Sequence, residues 1–168
     1  MTISYNRLGS NGRLGNQMFQ YAGLRGIAAN MGYKWLVPPP INYGDSNYGL
    51  FDCFKMSSVK DENFGLIQGQ SIQTGCFEFN EDFFNKCPDH VNLHDYFQTE
   101  KYFKNVEKDL RKDFTFQDEI MSACLEIMNE YKDSIFIHVR RGDYVRQPEN
   151  HPVCPKSYYD EALKLFPD

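Results

Sequence analysis

No apolar run in the chain approaches the roughly 20 residues that a membrane-crossing helix needs. The opening MTISYNRLGS has no long apolar core and does not read as a secretory leader. A basic excess is missing too. Lys and Arg total 18 against 23 Asp and Glu, a formal net charge of -5, which argues against nucleic-acid binding through a general basic face. No C-x-x-C pair occurs, and no histidine stands at zinc-finger spacing from Cys53, Cys76, Cys87, Cys124 or Cys154, so clustered zinc ligands are lacking. Five cysteines at irregular spacing read as reduced, mostly buried thiols of a cytoplasmic protein, not as a disulfide framework. There is no internal repeat and no low-complexity segment. Neither G-x-G-x-x-G nor a Walker loop is present, which disfavours dinucleotide and P-loop chemistry.

What remains is globular. The chain has 168 residues, 41% hydrophobic and 24% charged, enough for a domain that buries about 70% of its unfolded surface. Fourteen Phe and eleven Tyr are present. Most belong in a core, but such a chain is also equipped to stack sugars or bases. Residues 2–9, TISYNRLG, read as a short strand. Gly9, Gly12 and Gly15 follow, and then a helix from about Gln17 to Met31, where Tyr21, Leu24, Ile27, Ala28 and Met31 recur at helical spacing. Asn16 is the expected N-cap and Gly32 the expected C-cap residue. Ala22, Gly23, Gly26 and Ala29 are small and let another element approach closely. KWLV reads as a second strand, stopped by Pro38, Pro39 and Pro40. Strand, glycine loop, helix and strand make a βαβ unit, hence an α/β fold with a parallel sheet.

The middle is less patterned. Residues 41–70 read as loop, with short strands expected at Ser71–Phe77 and Val91–Phe97. One or two helices are expected over QTEKYFKNVEKDLRKDF, with Thr99 as a capping signal. QDEIMSACLEIMNEYK predicts a helix with an apolar stripe of Ile120, Ala123, Cys124, Ile127 and Met128. SIFIHV predicts a buried strand, and CPKSYYDEALKLF a helix with Pro155 in its first turn. The organisation expected is a whole N-terminal α/β domain over 1–132 and, over 133–168, the first βα unit of a second domain, truncated. The open edge of an incomplete sheet would favour association between copies.

Two motifs carry chemistry. In HVRRGDY a strand runs into a loop at its carboxyl end, where open α/β sheets bind ligands. Arg140 and Arg141 point in different directions, so one can enter the crevice while the other braces the loop. Guanidinium groups grip phosphate oxygens in a bidentate fork. Gly142 permits a tight turn, and Asp143 can pin an arginine or accept a proton. The plain alternative is a surface Arg–Asp ion pair; the RGD tripeptide as an adhesion signal is disfavoured in a strand–loop of this kind. In GRLGNQMFQYA a glycine loop opens a helix, whose free N–H groups and positive dipole end suit an anion or sugar hydroxyl. Arg13, Asn16 and Gln17 add polar groups, while a helix cap with packing glycines is the alternative.

Taken together, GRLGNQMFQYAGLRGIAANMGY, YFQTEKYF and SIFIHVRRGDYV with HPVCPKSYYDEA resemble the N-terminal portion of the α-1,2-fucosyltransferases, glycosyltransferase family 11. The α-1,6- and protein O-fucosyltransferases share the H-x-R-R and G-x-x-G-N-Q patterns more loosely. The resemblance implies a GT-B architecture of two Rossmann-like domains, the N-terminal one on the acceptor side. It implies inverting transfer of L-fucose from GDP-fucose to a galactoside hydroxyl in α-1,2 linkage, with no cofactor and no required metal. Arg140 and Arg141 would then bind the donor diphosphate, supported by His138 and Asp143. Asn16 would line the cleft near the transferred sugar and Gln17 would help order it, with Gly15 and Arg13 as further substrate-binding candidates. Asp143, Glu149 and His151 stand open as candidates for the base that takes the acceptor proton. Family members are considerably longer, and the rest of their second domain has no counterpart here.

Three functions follow: a fucosyltransferase or its N-terminal part, an inactive sugar-binding or interaction module derived from one, and another GDP-sugar transferase of the same superfamily. The expected partners are GDP-fucose and a galactose-containing glycan, with peripheral membrane contact and homo-oligomers compatible with the family and nucleic acid excluded.

Overall fold

In the computed structural model, which describes residues 1–40, 48–75, 77–132, 134–146, 148–149 and 152–166, β1 (Thr2–Ser4) stands inside a four-stranded parallel sheet. The order is β2-β1-β4-β3, with β2 at Lys34–Leu36, β3 at Ser71–Ile72 and β4 at Val91–Leu93. Ile3 lies opposite Trp35 on one side and Val91 on the other. The strands are short, and polar residues follow three of them closely: Asn6 after β1, Gln73 after β3 and His94 after β4.

Helix α1 (Leu14–Met31) connects β1 to β2 and completes the expected βαβ unit. It starts at Leu14 and not at Gln17, because Arg13 still has extended backbone. The expectation of Asn16 as N-cap is corrected: Asn16 lies within the first turn, and its Oδ1 accepts from Nε2 of Gln98 at 2.9 Å instead of from its own helix. The C-terminus is as read, with Gly32 left-handed at φ 66 and its N–H directed to the Ala28 and Ala29 carbonyls. The small residues of α1 do admit close neighbours. A Cβ on Gly26 would lie 1.9 Å from the Tyr102 carbonyl oxygen, and one on Gly23 would lie 2.6 Å from Phe97 Cβ. The core around this helix holds Ile3, Tyr5, Leu24, Ile27, Leu50 and Leu93, all fully buried.

Several segments differ from expectation. The stretch read as loop contains α2 (Gly49–Cys53) and a 3₁₀ turn at Asp61–Asn63, while residues 41–47 lie outside the described residues. A further helix, α3 (Glu81–Lys86), is capped by Asn80, whose Oδ1 accepts the Phe83 N–H at 2.9 Å. Two 3₁₀ turns lead into α4 (Glu107–Asp113), and the Thr99 side chain makes no cap bond. Of the cysteines, Cys87 alone among the described residues is buried; Cys53 is half-buried, and Cys124 and Cys154 are exposed, all four free. Cys76 lies outside the described residues.

The chain divides into two units, Met1–Cys124 and Leu125–Asp168. Their boundary falls within α5 (Asp118–Glu130), whose apolar stripe is not a core face: none of its residues is buried. The second unit holds α6 (Gly142–Arg146) and α7 (Lys156–Leu163), with Pro155 at the N-cap of α7 and not inside its first turn. SIFIHV is not a buried strand. Residues 134–141 have no regular structure, and Phe136 is 79% exposed. The physical reason is pairing: a strand forms only where a neighbour takes up its N–H and C=O groups, and the described residues of this unit hold no second strand.

Candidate functional site

In the second unit the arginine motif is folded by its own aspartate. Nη2 of Arg140 lies 2.8 Å from Oδ2 of Asp143, and Nε lies 3.3 Å from Oδ1. The guanidinium also stacks over the Tyr144 ring, 4.7 Å from its centroid. Gly142 does not form a separate tight turn: it is the first residue of α6, and the Arg141 carbonyl accepts the Val145 N–H at 2.9 Å. Arg140 is therefore the bracing arginine. Arg141 is exposed and makes no ion pair among the described residues. His138 lines a groove of about 200 Å³ with Ile135, Phe136, Tyr159, Leu163 and Phe166. Partial desolvation and the neighbouring Cys154 push the Tyr159 phenol up, and Arg141 is near enough to oppose that rise. Of the candidate bases, Asp143 is occupied by Arg140, Glu149 is exposed, and His151 lies outside the described residues.

The glycine loop belongs to the first unit. Gly9 and Gly12 are left-handed at φ 91 and φ 88, a conformation that costs a side chain strain. Nε2 of Gln17, itself buried, donates to the Gly12 carbonyl at 3.2 Å and ties the loop to the helix. Gln20 does the same at the Asn11 carbonyl, at 2.8 Å. The first turn of α1 contains no acidic residue and has no side-chain cap, so its N–H groups and positive dipole end are not neutralised locally. Arg13 and Gly15 are exposed there, and a Cβ on Gly15 would meet nothing within 4 Å.

The first unit also holds a cleft that no single motif marks. About 320 Å³ in volume, it is lined by Asn11, Gln73, Phe77, His94, Asp95 and Tyr96. These residues follow the carboxyl ends of β1, β3 and β4. The connection from β1 leads to β2 on one side, while β4 pairs with β1 on the other and with β3 beyond it. Open α/β sheets bind ligands at the carboxyl ends of their strands. The available signal was the polar residue that follows each strand. Among the described residues, no group of His, Cys, Asp and Glu could hold a metal ion, and no helix is long and apolar enough to cross a membrane.

The family model of glycosyl transferase family 11 matches residues 66–168, which include the arginine motif. An alpha-1,2-colitosyltransferase of Escherichia coli is 25% identical over 99% of the chain and 64% of that protein. A galactoside alpha-(1,2)-fucosyltransferase 2 of Rattus norvegicus is 26% identical over 95% of the chain and 47% of its own length. The galactoside 2-alpha-L-fucosyltransferase Sec1 of Mus musculus is 26% identical, with coverage of 92% and 44%. The chain thus spans about half to two-thirds of the length of these relatives. No solved structure matches it. With the family model covering more than half of its residues, the chain belongs to glycosyl transferase family 11.

Proposed function

We propose that the chain supplies part or all of a GT-B enzyme that transfers L-fucose from GDP-fucose to the 2-hydroxyl of a galactoside, inverting the anomeric carbon without a metal. The observation that carries this reading is the division of labour between two adjacent arginines inside the region matched by the family. Arg140 is held by Asp143 and Tyr144, whereas Arg141 makes no ion pair among the described residues. As the sugar–oxygen bond stretches, negative charge accumulates on the β-phosphate of the leaving GDP. Arg141 would neutralise it, with His138 and the Arg140–Asp143 pair orienting the loop. The uncapped end of α1, with Gly15, Asn16, Gln17 and Arg13, would border the transferred sugar. Each well-placed donor of this kind contributes about 3 kcal/mol to lowering a barrier. Asp143 would serve as a positioning group, which leaves Glu149 and His151 as the candidate bases for the acceptor hydroxyl.

A second reading concerns the donor. A relative named a colitosyltransferase aligns over 99% of the chain, so a GDP-activated colitosyl donor is the specific competitor to GDP-fucose. Incubation with lactose and each donor separately, with the product read by mass and linkage, tests both. A fucosylated lactose bearing the new sugar on the galactose 2-hydroxyl supports the reading. A product with colitose alone reassigns the donor, and product with neither donor from folded protein rejects the activity for this chain.

A further inference from the structure

Phe97, a bulky residue just past β4, has left-handed backbone at φ 50. A side chain in that conformation costs about 1–3 kcal/mol and persists only where its surroundings over-determine it. Here they do. The ring is 4% exposed and lies 5.0 Å from the centre of the Tyr102 ring. Gly23 of α1 leaves room for it, since a Cβ on Gly23 would stand 2.6 Å from Phe97 Cβ. The Asp95 carboxylate accepts the Thr74 N–H at 2.9 Å and the Tyr96 N–H at 2.8 Å, which anchors the chain just upstream. The Thr99 N–H then closes onto the Phe97 carbonyl at 2.7 Å, a three-residue turn with Gln98 at its apex. Gln98 itself is exposed, so the turn buries nothing there. What the strained backbone sets is the direction of the Gln98 side chain.

That side chain reaches the glycine motif. Nε2 of Gln98 donates to Oδ1 of Asn16 at 2.9 Å, across 82 positions of sequence. On its other flank Asn16 folds over Gly12: a Cβ at this left-handed residue would lie 2.7 Å from both Cβ and Nδ2 of Asn16. The carboxamide is therefore held between a glycine that must stay bare and a glutamine that occupies its oxygen. A carboxamide has two ends of opposite chemistry, an oxygen that accepts and an N–H₂ that donates. With Oδ1 taken by Gln98, Asn16 is left as a donor, and its Nδ2 makes no hydrogen bond among the described residues. The backbone N–H groups at the uncapped start of α1 are donors too. This helix end thus presents donors to an approaching oxygen, and one of them is set by a residue outside the helix. A neutral hydrogen bond contributes only about 1 kcal/mol to folding, so the exposed pair matters little to stability.

We propose that Gln98 is a positioning residue for sugar transfer: aimed by Phe97, it turns the Asn16 carboxamide so that Nδ2 donates to an oxygen of the transferred sugar. The proposal rests on the transferase reading above for the identity of that sugar. Gln98→Met keeps the length of the side chain and removes the donor; Gln98→Lys returns a donor to Oδ1. Both are made in the 168-residue chain. Each is followed by the side-chain ¹⁵N–H₂ signal of Asn16, by thermal unfolding and by fucosyl transfer from GDP-fucose to lactose. Gln98→Met should shift the Asn16 signal and leave the unfolding temperature almost unchanged. It should lower kcat by about 10–10²-fold with the KM for lactose unchanged, and Gln98→Lys should recover most of that loss. Asn16→Ala should lose at least as much, and adding Gln98→Met to it should cost nothing further, because Gln98 acts through Asn16. An Asn16 signal indifferent to Gln98→Met, an unchanged kcat, losses that multiply in the double variant, or no recovery in Gln98→Lys would each overturn the proposal. An active parent with indifferent Gln98 variants sinks the positioning role alone. A folded parent that transfers nothing sinks the transferase reading, while the Asn16 signal still decides whether Gln98 holds that carboxamide.

Discussion

Nη1 of Arg25 lies 2.6 Å from Oδ2 of Asp113, with side chains 9% and 0% exposed. The two residues are 88 positions apart in the chain, and their contact fastens α4 to the helix that the glycine loop opens. Asp113 is fully engaged: Tyr21 donates to Oδ2 at 2.8 Å, and the Ser58 N–H donates to Oδ1 at 2.6 Å. The guanidinium lies 4.7 Å from the centre of the Trp35 ring. Asp113→Ala leaves a buried cation without its partner, a change that costs about 3–5 kcal/mol. Thermal unfolding should shift down by many degrees; a variant as stable as the parent would show that the pair does not hold the unit together.

The Arg140–Asp143 pair has similar geometry and the opposite expected consequence. Its side chains are 46% and 55% exposed, so breaking it changes stability by less than about 1 kcal/mol. Asp143→Asn should therefore leave the unfolding temperature almost unchanged while weakening GDP-fucose binding, because Arg140 no longer braces the loop. Equal affinity for donor in parent and variant, measured by calorimetry, would remove Asp143 from the site.

Gly15 separates a folding role from a ligand role. Its Cβ position is open and lies in the first turn of α1, where alanine is favoured over glycine by about 0.5–1 kcal/mol. Gly15→Ala should keep or raise thermal stability and lower transferase turnover by crowding the sugar. Unchanged turnover would mean that nothing approaches this face of the helix.

Burial pushes the Cys87 thiol up from its ordinary 9.0 to about 11. A raised folded value means that the unfolded thiol ionises first. The associated stability is complete below pH about 9 and is lost as pH rises toward 11. Burial also raises the phenols of Tyr5 and Tyr21, which extends the loss to higher pH. At pH 8, iodoacetamide should label exposed Cys124 and Cys154 rapidly and Cys87 only after unfolding, as read residue by residue by mass spectrometry. Early labelling of Cys87 would contradict its burial.

The βαβ unit was legible because Tyr21, Leu24, Ile27 and Ala28 repeat at helical spacing and Gly32 ends the helix by its own conformational freedom. The same local logic failed at SIFIHV. An apolar run states that a segment can be a strand, but the pairing partner is a property of the rest of the unit. It failed again at Asn16, whose side chain pairs with Gln98, far along the chain. Within the arginine motif, the possibility that Asp143 pins an arginine was readable, since it stands three positions after Arg140 and the contact is local. Arg25–Asp113 and the His94 cleft were not, because long-range closure brings Arg7, Gln73 and His94 together across three strands.

If Arg141 serves a nucleotide-sugar transferase, its loss shows in donor turnover. The most direct test is GDP release from GDP-fucose, with and without lactose, by the 168-residue chain and its Arg141→Ala variant. Lactose-dependent release is expected from the parent and should fall by about 10²–10³-fold in the variant, the loss typical of one transition-state donor. Release that is equal in both proteins, or absent from the folded parent, would contradict that role.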